Sequence, residues 1–149
     1  MASAHDEIRR LIYAYAERLD AGDFAAVGRL FAAARYGAGE GPLGLSGADV
    51  ERLHGELVIL YEDGTPRTKH VTTNVAIELD AAGRGARAHS YYVVLQQVPG
   101  GPLQPIVSGR YEDRFELADG RWRFAARRIH VDLVGDLSRH LRTIPAGVR

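Results

Sequence analysis

The chain has 149 residues, with 19 Lys plus Arg balancing 19 Asp plus Glu, 46% hydrophobic residues and no cysteine. That composition fits one globular domain and excludes wholesale disorder. The missing cysteines exclude disulfides, thiolate metal sites and a cysteine nucleophile, and zero net charge removes the long-range attraction on which nucleic-acid and anionic-membrane binders rely.

Apolar residues at Ile8, Leu11, Ile12, Tyr15 and Leu19 recur at three-and-four spacing and predict an amphipathic helix over His5 to Leu19. Gly22 stops it, and Asp23 caps a short second helix over Phe24 to Ala32. Gly37 to Gly47 holds five glycines and Pro42 but no Gly-Lys-Ser or Gly-Lys-Thr, so an entry loop or flap is expected there rather than a phosphate loop. A third helix is predicted over Asp49 to Tyr61, closed by Asp63-Gly64-Thr65-Pro66.

After Pro66 the period falls to two. Strands are predicted at Thr68 to Leu79, Ala86 to Val98, Pro105 to Leu117 and Arg121 to Val134, with Asp119-Gly120 as a hairpin signal. Gly135 to Leu141 reads as a short closing helix and residues 143–149 as a tail. Helices followed by hairpin-linked strands imply a single α+β domain with a mainly antiparallel, strongly curved sheet. The start, Met1 to Glu7, is polar and acidic, and no apolar run reaches the roughly 18 residues of a membrane span, so a cytoplasmic location is expected, with neither membrane nor nucleic acid as partner.

Asp20 ends the first helix, where the dipole disfavours a carboxylate. The helical wheel leaves it either a pocket wall or a solvated flank. His70 shares one face of the first long strand with Thr72 and Asn74, a polar set facing either water or a polar cavity. A histidine there exchanges protons near neutral pH when a carboxylate orients it. Seven tyrosines supply hydroxyl donors, and alternation puts Tyr111, Asp113 and Phe115 on one side of their strand. Arg121, Arg123, Arg127 and Arg128 are interleaved with Glu112, Asp113, Glu116 and Asp119, so cross-strand pairing accounts for them better than nucleic-acid binding. His130-Val131-Asp132 could offer two metal ligands but lacks a third, and neither metal nor cofactor is expected.

The phrases Tyr15…Asp20-Ala-Gly-Asp23, Lys69-His70-Val-Thr-Thr-Asn74, Ser108-Gly109-Arg-Tyr111-Glu-Asp113 and Gly120-Arg-Trp122-Arg-Phe124 resemble the SnoaL-like branch of the nuclear transport factor two-like superfamily, over nearly the whole chain. The branch includes scytalone dehydratase, bile acid 7α-dehydratase and polyketide cyclases. The resemblance implies a cone-shaped α+β barrel with three amino-terminal helices on the curved sheet, a homodimer, and a cavity between the first helix and the concave sheet. It matches the dehydratases' tyrosine, aspartate and histidine to Tyr15, Asp20 and His70, and places pocket residues near Tyr36 and Tyr111. The further titratable group of the dehydratases falls around Val93 or Leu95, which are apolar. His89 or Tyr91 could substitute if Arg87, His89, Tyr91 and Val93 face the pocket.

These readings lead to a small cofactor-independent dehydratase, isomerase or cyclase acting on a hydrophobic carbonyl compound such as a polyketide or sterol-like ring. Asp20, His70 and Tyr15 would be catalytic, with Tyr36, Asn74, His89, Tyr91 and Tyr111 binding substrate. The alternatives are a non-catalytic binding or accessory subunit using the same cavity, and a dimerising domain in which Asp20 and His70 are a structural pair.

Overall fold

The computed structural model describes residues 1–146 and 148; Gly147 and Arg149, part of the expected tail, lie outside the described residues. Helix α1 spans Ala4–Asp20, opened by a capping box in which Ser3 and Asp6 satisfy each other's backbone N–H groups. Its stripe of Ile8, Ile12, Tyr15 and Leu19 is buried. Helix α2, Phe24–Leu30, is capped by Asp23, whose carboxylate accepts from the Ala26 N–H at 3.0 Å. Strand β1, Arg35–Ala38, follows. Helix α3, Gly47–Leu57, begins with a second capping box between Ser46 and Asp49.

Strands β2 (Thr68–Leu79), β3 (Gly85–Gln96), β4 (Gln104–Ala118) and β5 (Arg121–Val134) complete a five-stranded sheet in the order β1-β5-β4-β3-β2. The last four strands are antiparallel, whereas β1 pairs parallel to β5, with Tyr36 opposite Arg127. This short edge strand runs into the start of the stretch expected to be loop, Gly37 to Gly47: four residues starting on a charge carry almost no alternation to read. β1 and β2 do not pair with each other, so the sheet curls around the helices without closing into a barrel. The predicted closing helix at Gly135 to Leu141 is a single turn, with the Leu137 carbonyl accepting from the His140 and Leu141 N–H groups at 3.0 and 2.9 Å. From there Leu141 bridges back to Val58.

Register is interrupted by bulges between Thr73 and Ala76, Ser108 and Gly109, Arg114 and Phe115, and, opposite β4, Val94 and Leu95. Each inserts a residue, bends its strand and exchanges inner and outer faces beyond it. At the first, Asn74 sits in the left-handed region at φ 54°. Gly109 is required at the second, because a Cβ there would collide with the His130 carbonyl and lie 2.7 Å from the Tyr92 hydroxyl. The concave face carries the core, in which Phe31, Phe124, Ile8 and Ile12 are fully buried.

Candidate active site

A cavity of about 430 Å³ opens between the carboxyl-terminal half of α1, helix α3 and the concave sheet. Its walls are mainly apolar, with Val94, Val107, Ile129 and Leu137 among them, and its polar groups come from Tyr15, Tyr36, His54, His70, Tyr92, Tyr111 and His140. Pro145, Ala146 and Val148, within the segment expected to be a tail, line the same space.

Asp20 is at the end of α1, yet it is not a solvated flank. Its carboxylate accepts from the Thr68 hydroxyl at 2.9 Å, the His70 backbone N–H at 2.8 Å and the His70 Nδ1 at 2.6 Å. These three bonds from the start of β2 compensate the unfavourable end of the helix dipole. The two side chains are 9% and 12% exposed for His70 and Asp20 respectively. Because a carboxylate only accepts, His70 carries its proton on Nδ1, and in the neutral ring the Nε2 lone pair is left without a partner among the described residues. The dyad has the arrangement of an oriented general base.

The Tyr15 and Tyr36 hydroxyls meet at 2.7 Å. Two hydroxyls share one hydrogen in such a bond, so the acceptor's own hydrogen is left over to donate. Burial raises both phenol pKa values, with Tyr36 well above the ordinary range, so the pair stays neutral and acts as a donor. Tyr92 is engaged, donating to the His130 carbonyl at 2.9 Å. Tyr111 is buried, stacks on Tyr92 at 4.5 Å between ring centroids, and has its own pKa raised by desolvation.

Behind the tyrosines, Arg127 and Asp113 form a bidentate pair at 2.7 and 2.7 Å with neither side chain exposed. The guanidinium lies 3.9 Å from the Tyr111 ring centroid and 4.3 Å from that of Tyr15. Burial opposes its charge, but the attraction and hydrogen bonds of Asp113 outweigh that and raise the Arg127 pKa. On the convex face Arg123 pairs with Glu116 and Arg110 with Asp132, the cross-strand pattern expected of the interleaved charges.

Of the eight expected site residues, Tyr15, Tyr36, His70 and Tyr111 line the cavity and Asp20 joins them through His70. The other three do not. Asn74 is the exposed bulge residue, and beyond it Val75 and Ile77 turn toward the core, whereas Val71 faces out. His89 and Tyr91 lie on the convex face, Tyr91 at 52% exposure. Pairing decides this: His70 is opposite Val94 and Thr72 opposite Tyr92, so the inward positions of β3 are the even ones from Ala86 to Gln96. Sequence reasoning passed over His54, Tyr92 and His140. For His54 the available signal was its place on α3, one turn after Val50 and beside Leu53, on the apolar flank of the helix.

A model of the SnoaL-like domain matches residues 1–128. The chain belongs to the SnoaL-like domain family. No curated protein matches it, but solved structures share the nuclear transport factor two-like fold. Rv3472 of Mycobacterium tuberculosis, a protein of unknown function, is similar at TM-score 0.69 and 25% identity, covering 86% of this chain and 71% of that one. Two Novosphingobium aromaticivorans proteins carry provisional descriptions. One, as a scytalone dehydratase, has TM-score 0.67 and 18% identity, covering 87% of this chain and 85% of that one. The other, as the beta subunit of an aromatic-ring-hydroxylating dioxygenase, has TM-score 0.68 and 22% identity over 89% of this chain and 91% of that one. One fold is thus shared by proteins described as a dehydratase and as a dioxygenase subunit. Among the described residues no helix is long and apolar enough to cross a membrane.

Proposed function

We propose that this SnoaL-like domain is an enzyme that moves protons on a hydrophobic carbonyl compound, such as a polyketide or sterol-like ring, without a bound cofactor. The observation that carries the reading is the Asp20–His70 dyad, set in an apolar cavity with a neutral tyrosine pair. Asp20 fixes the imidazole tautomer, and His70 Nε2 takes a proton from the carbon beside the carbonyl. The hydroxyl left free in the Tyr15–Tyr36 pair donates to the developing enolate oxygen, helped by Tyr111. The enolate then expels a β-hydroxyl, which leaves as water with the proton held on His70, or is reprotonated at another carbon, or attacks a second carbonyl. These are dehydration, isomerisation and cyclisation respectively. A volume of about 430 Å³ suits a molecule of two or three fused rings.

The test is the elimination of β-hydroxy ketones, followed by the absorbance of the enone formed. His70→Ala and Asp20→Asn should stay folded and lose roughly 10²–10⁴-fold in kcat/KM. Turnover unchanged in both variants would refute these catalytic roles. The second reading, a binding or accessory subunit, draws on the lack of a second titratable group on the inner face of β3, where Tyr92 is already engaged and Val94 is apolar. Tight binding of such ketones with no turnover by the unmodified protein would favour it. We also propose a cytoplasmic homodimer joined through the convex sheet face, where Val71, Tyr91 and Leu133 are 40%, 52% and 69% exposed. Sedimentation of a monomer at micromolar concentration would overturn that assembly.

A further inference from the structure

His54 lines the cavity and has no part in the chemistry above. Its position is firmly set. Helix α3 lies against α2 through a contact of Gly47 with the Gly28 carbonyl that leaves no room for a Cβ, and Val50, one turn before His54, is fully buried. The imidazole is flanked by Phe24, at 5.8 Å between ring centroids, and by Tyr36, at 6.2 Å.

His54 Nδ1 lies 2.7 Å from the Val50 carbonyl oxygen. A carbonyl only accepts, so Nδ1 carries the proton and the neutral ring keeps its lone pair on Nε2. Nε2 has no hydrogen-bond partner among the described residues. Burial, and then the neighbouring His70, lower the His54 pKa despite its bond to Val50, so the ring is a neutral acceptor at ordinary pH. His140, which lines the same space, is also held neutral, its pKa lowered to about 4 chiefly by burial. The cavity therefore sets a fixed acceptor on α3 beside the hydroxyl donors of Tyr15, Tyr36 and Tyr111. A bare hydrocarbon frame against His54 would strip water from Nε2 and give nothing back, which a site with a buried acceptor rejects.

Resting on the reading of this cavity as a ligand pocket, we propose that His54 Nε2 receives a hydroxyl group of the ligand, so that the ligand class is a hydroxylated ring ketone or phenol. The carbonyl of such a ligand lies at the tyrosine pair and its hydroxyl at His54, on neighbouring parts of one wall.

A pair of fluorescent probes of one shape tests this: 2-naphthol, which donates a hydrogen bond, and 2-methoxynaphthalene, which does not. The naphthol should bind the unmodified protein roughly tenfold tighter. His54→Phe should reduce that preference to within about twofold, while His70→Ala should leave it intact. On the unmodified protein, the ¹⁵N resonance of His54 Nε2 should move on adding the naphthol and stay in place with its methyl ether, a measurement that needs no variant to fold. The proposal is overturned by equal affinities for the two probes, by a preference that survives His54→Phe, by one lost in His70→Ala instead, or by an unmoved resonance. Failure of both probes to bind would overturn it together with the ligand-pocket reading, whereas binding of both without preference overturns the hydroxyl assignment alone.

Discussion

Asp20–His70 and Asp113–Arg127 each join a carboxylate to a nitrogenous side chain out of bulk water, and the contrast between them lies in what can happen next. The Asp113–Arg127 pair is fully buried, bidentate and covered by the Tyr15 and Tyr111 rings. Arginine cannot release its proton, so the guanidinium charge is fixed and the pair serves as a rigid strut under the tyrosines. The Asp20–His70 pair has an imidazole partner, with one nitrogen held by the carboxylate and the other free at a cavity to take and return a proton. Burial alone would have ranked the two pairs in the wrong order of chemical interest. A mobile proton with access to a ligand separates a reactive pair from a structural one.

The largest effect should therefore fall on the pair that does no chemistry. Asp113→Ala leaves Arg127 buried and unpaired and should cost about 3–5 kcal/mol in a denaturant melt. Replacing both partners by Leu and Met should restore most of that. A single-variant loss below about 1 kcal/mol would mean that the strut carries no weight.

A smaller effect sharpens the other side of the comparison through pH. His140 has a folded pKa of about 4 against about 6.5 unfolded, because burial and then the nearby His70 and His54 disfavour its charge. Between those values the unfolded chain binds more protons, so stability is complete above about pH 6.5 and is lost as pH falls toward 4, by up to about 3 kcal/mol. His140→Gln should flatten that acid limb in melts recorded across this range. An unchanged slope would assign acid sensitivity to other groups.

The smallest change removes one support of the dyad. Thr68→Val deletes the hydroxyl that donates to Asp20 and should cost about 1 kcal/mol while leaving the Asp20–His70 contact in place. An unchanged melting temperature would show that the two bonds from His70 suffice.

The dyad was legible through the resemblance to the dehydratases; locally, a carboxylate at the wrong end of a helix and a histidine on a polar strand face drew notice but left both placements open. The helices and long strands were legible from periodicity, with boundaries displaced by a few residues. What failed was parity. Asn74, His89 and Tyr91 were placed in the pocket by counting alternate residues, but β3 faces inward with Tyr92 and Val94, and the extra residue at Asn74 reverses β2 halfway along. Nothing local marks that reversal except an asparagine, which tolerates the left-handed backbone well. β1 and the cavity role of the last residues were invisible for a different reason: both are fixed by distant partners, β5 and Val58, rather than by their own pattern.

That reversal at Asn74 makes β2 two half-strands with independent obligations. Thr68 and His70 serve the dyad, while Val75 and Ile77 serve the hydrophobic core. The two halves therefore answer to different neighbours: a substitution in the first is felt at the dyad, one in the second at the core.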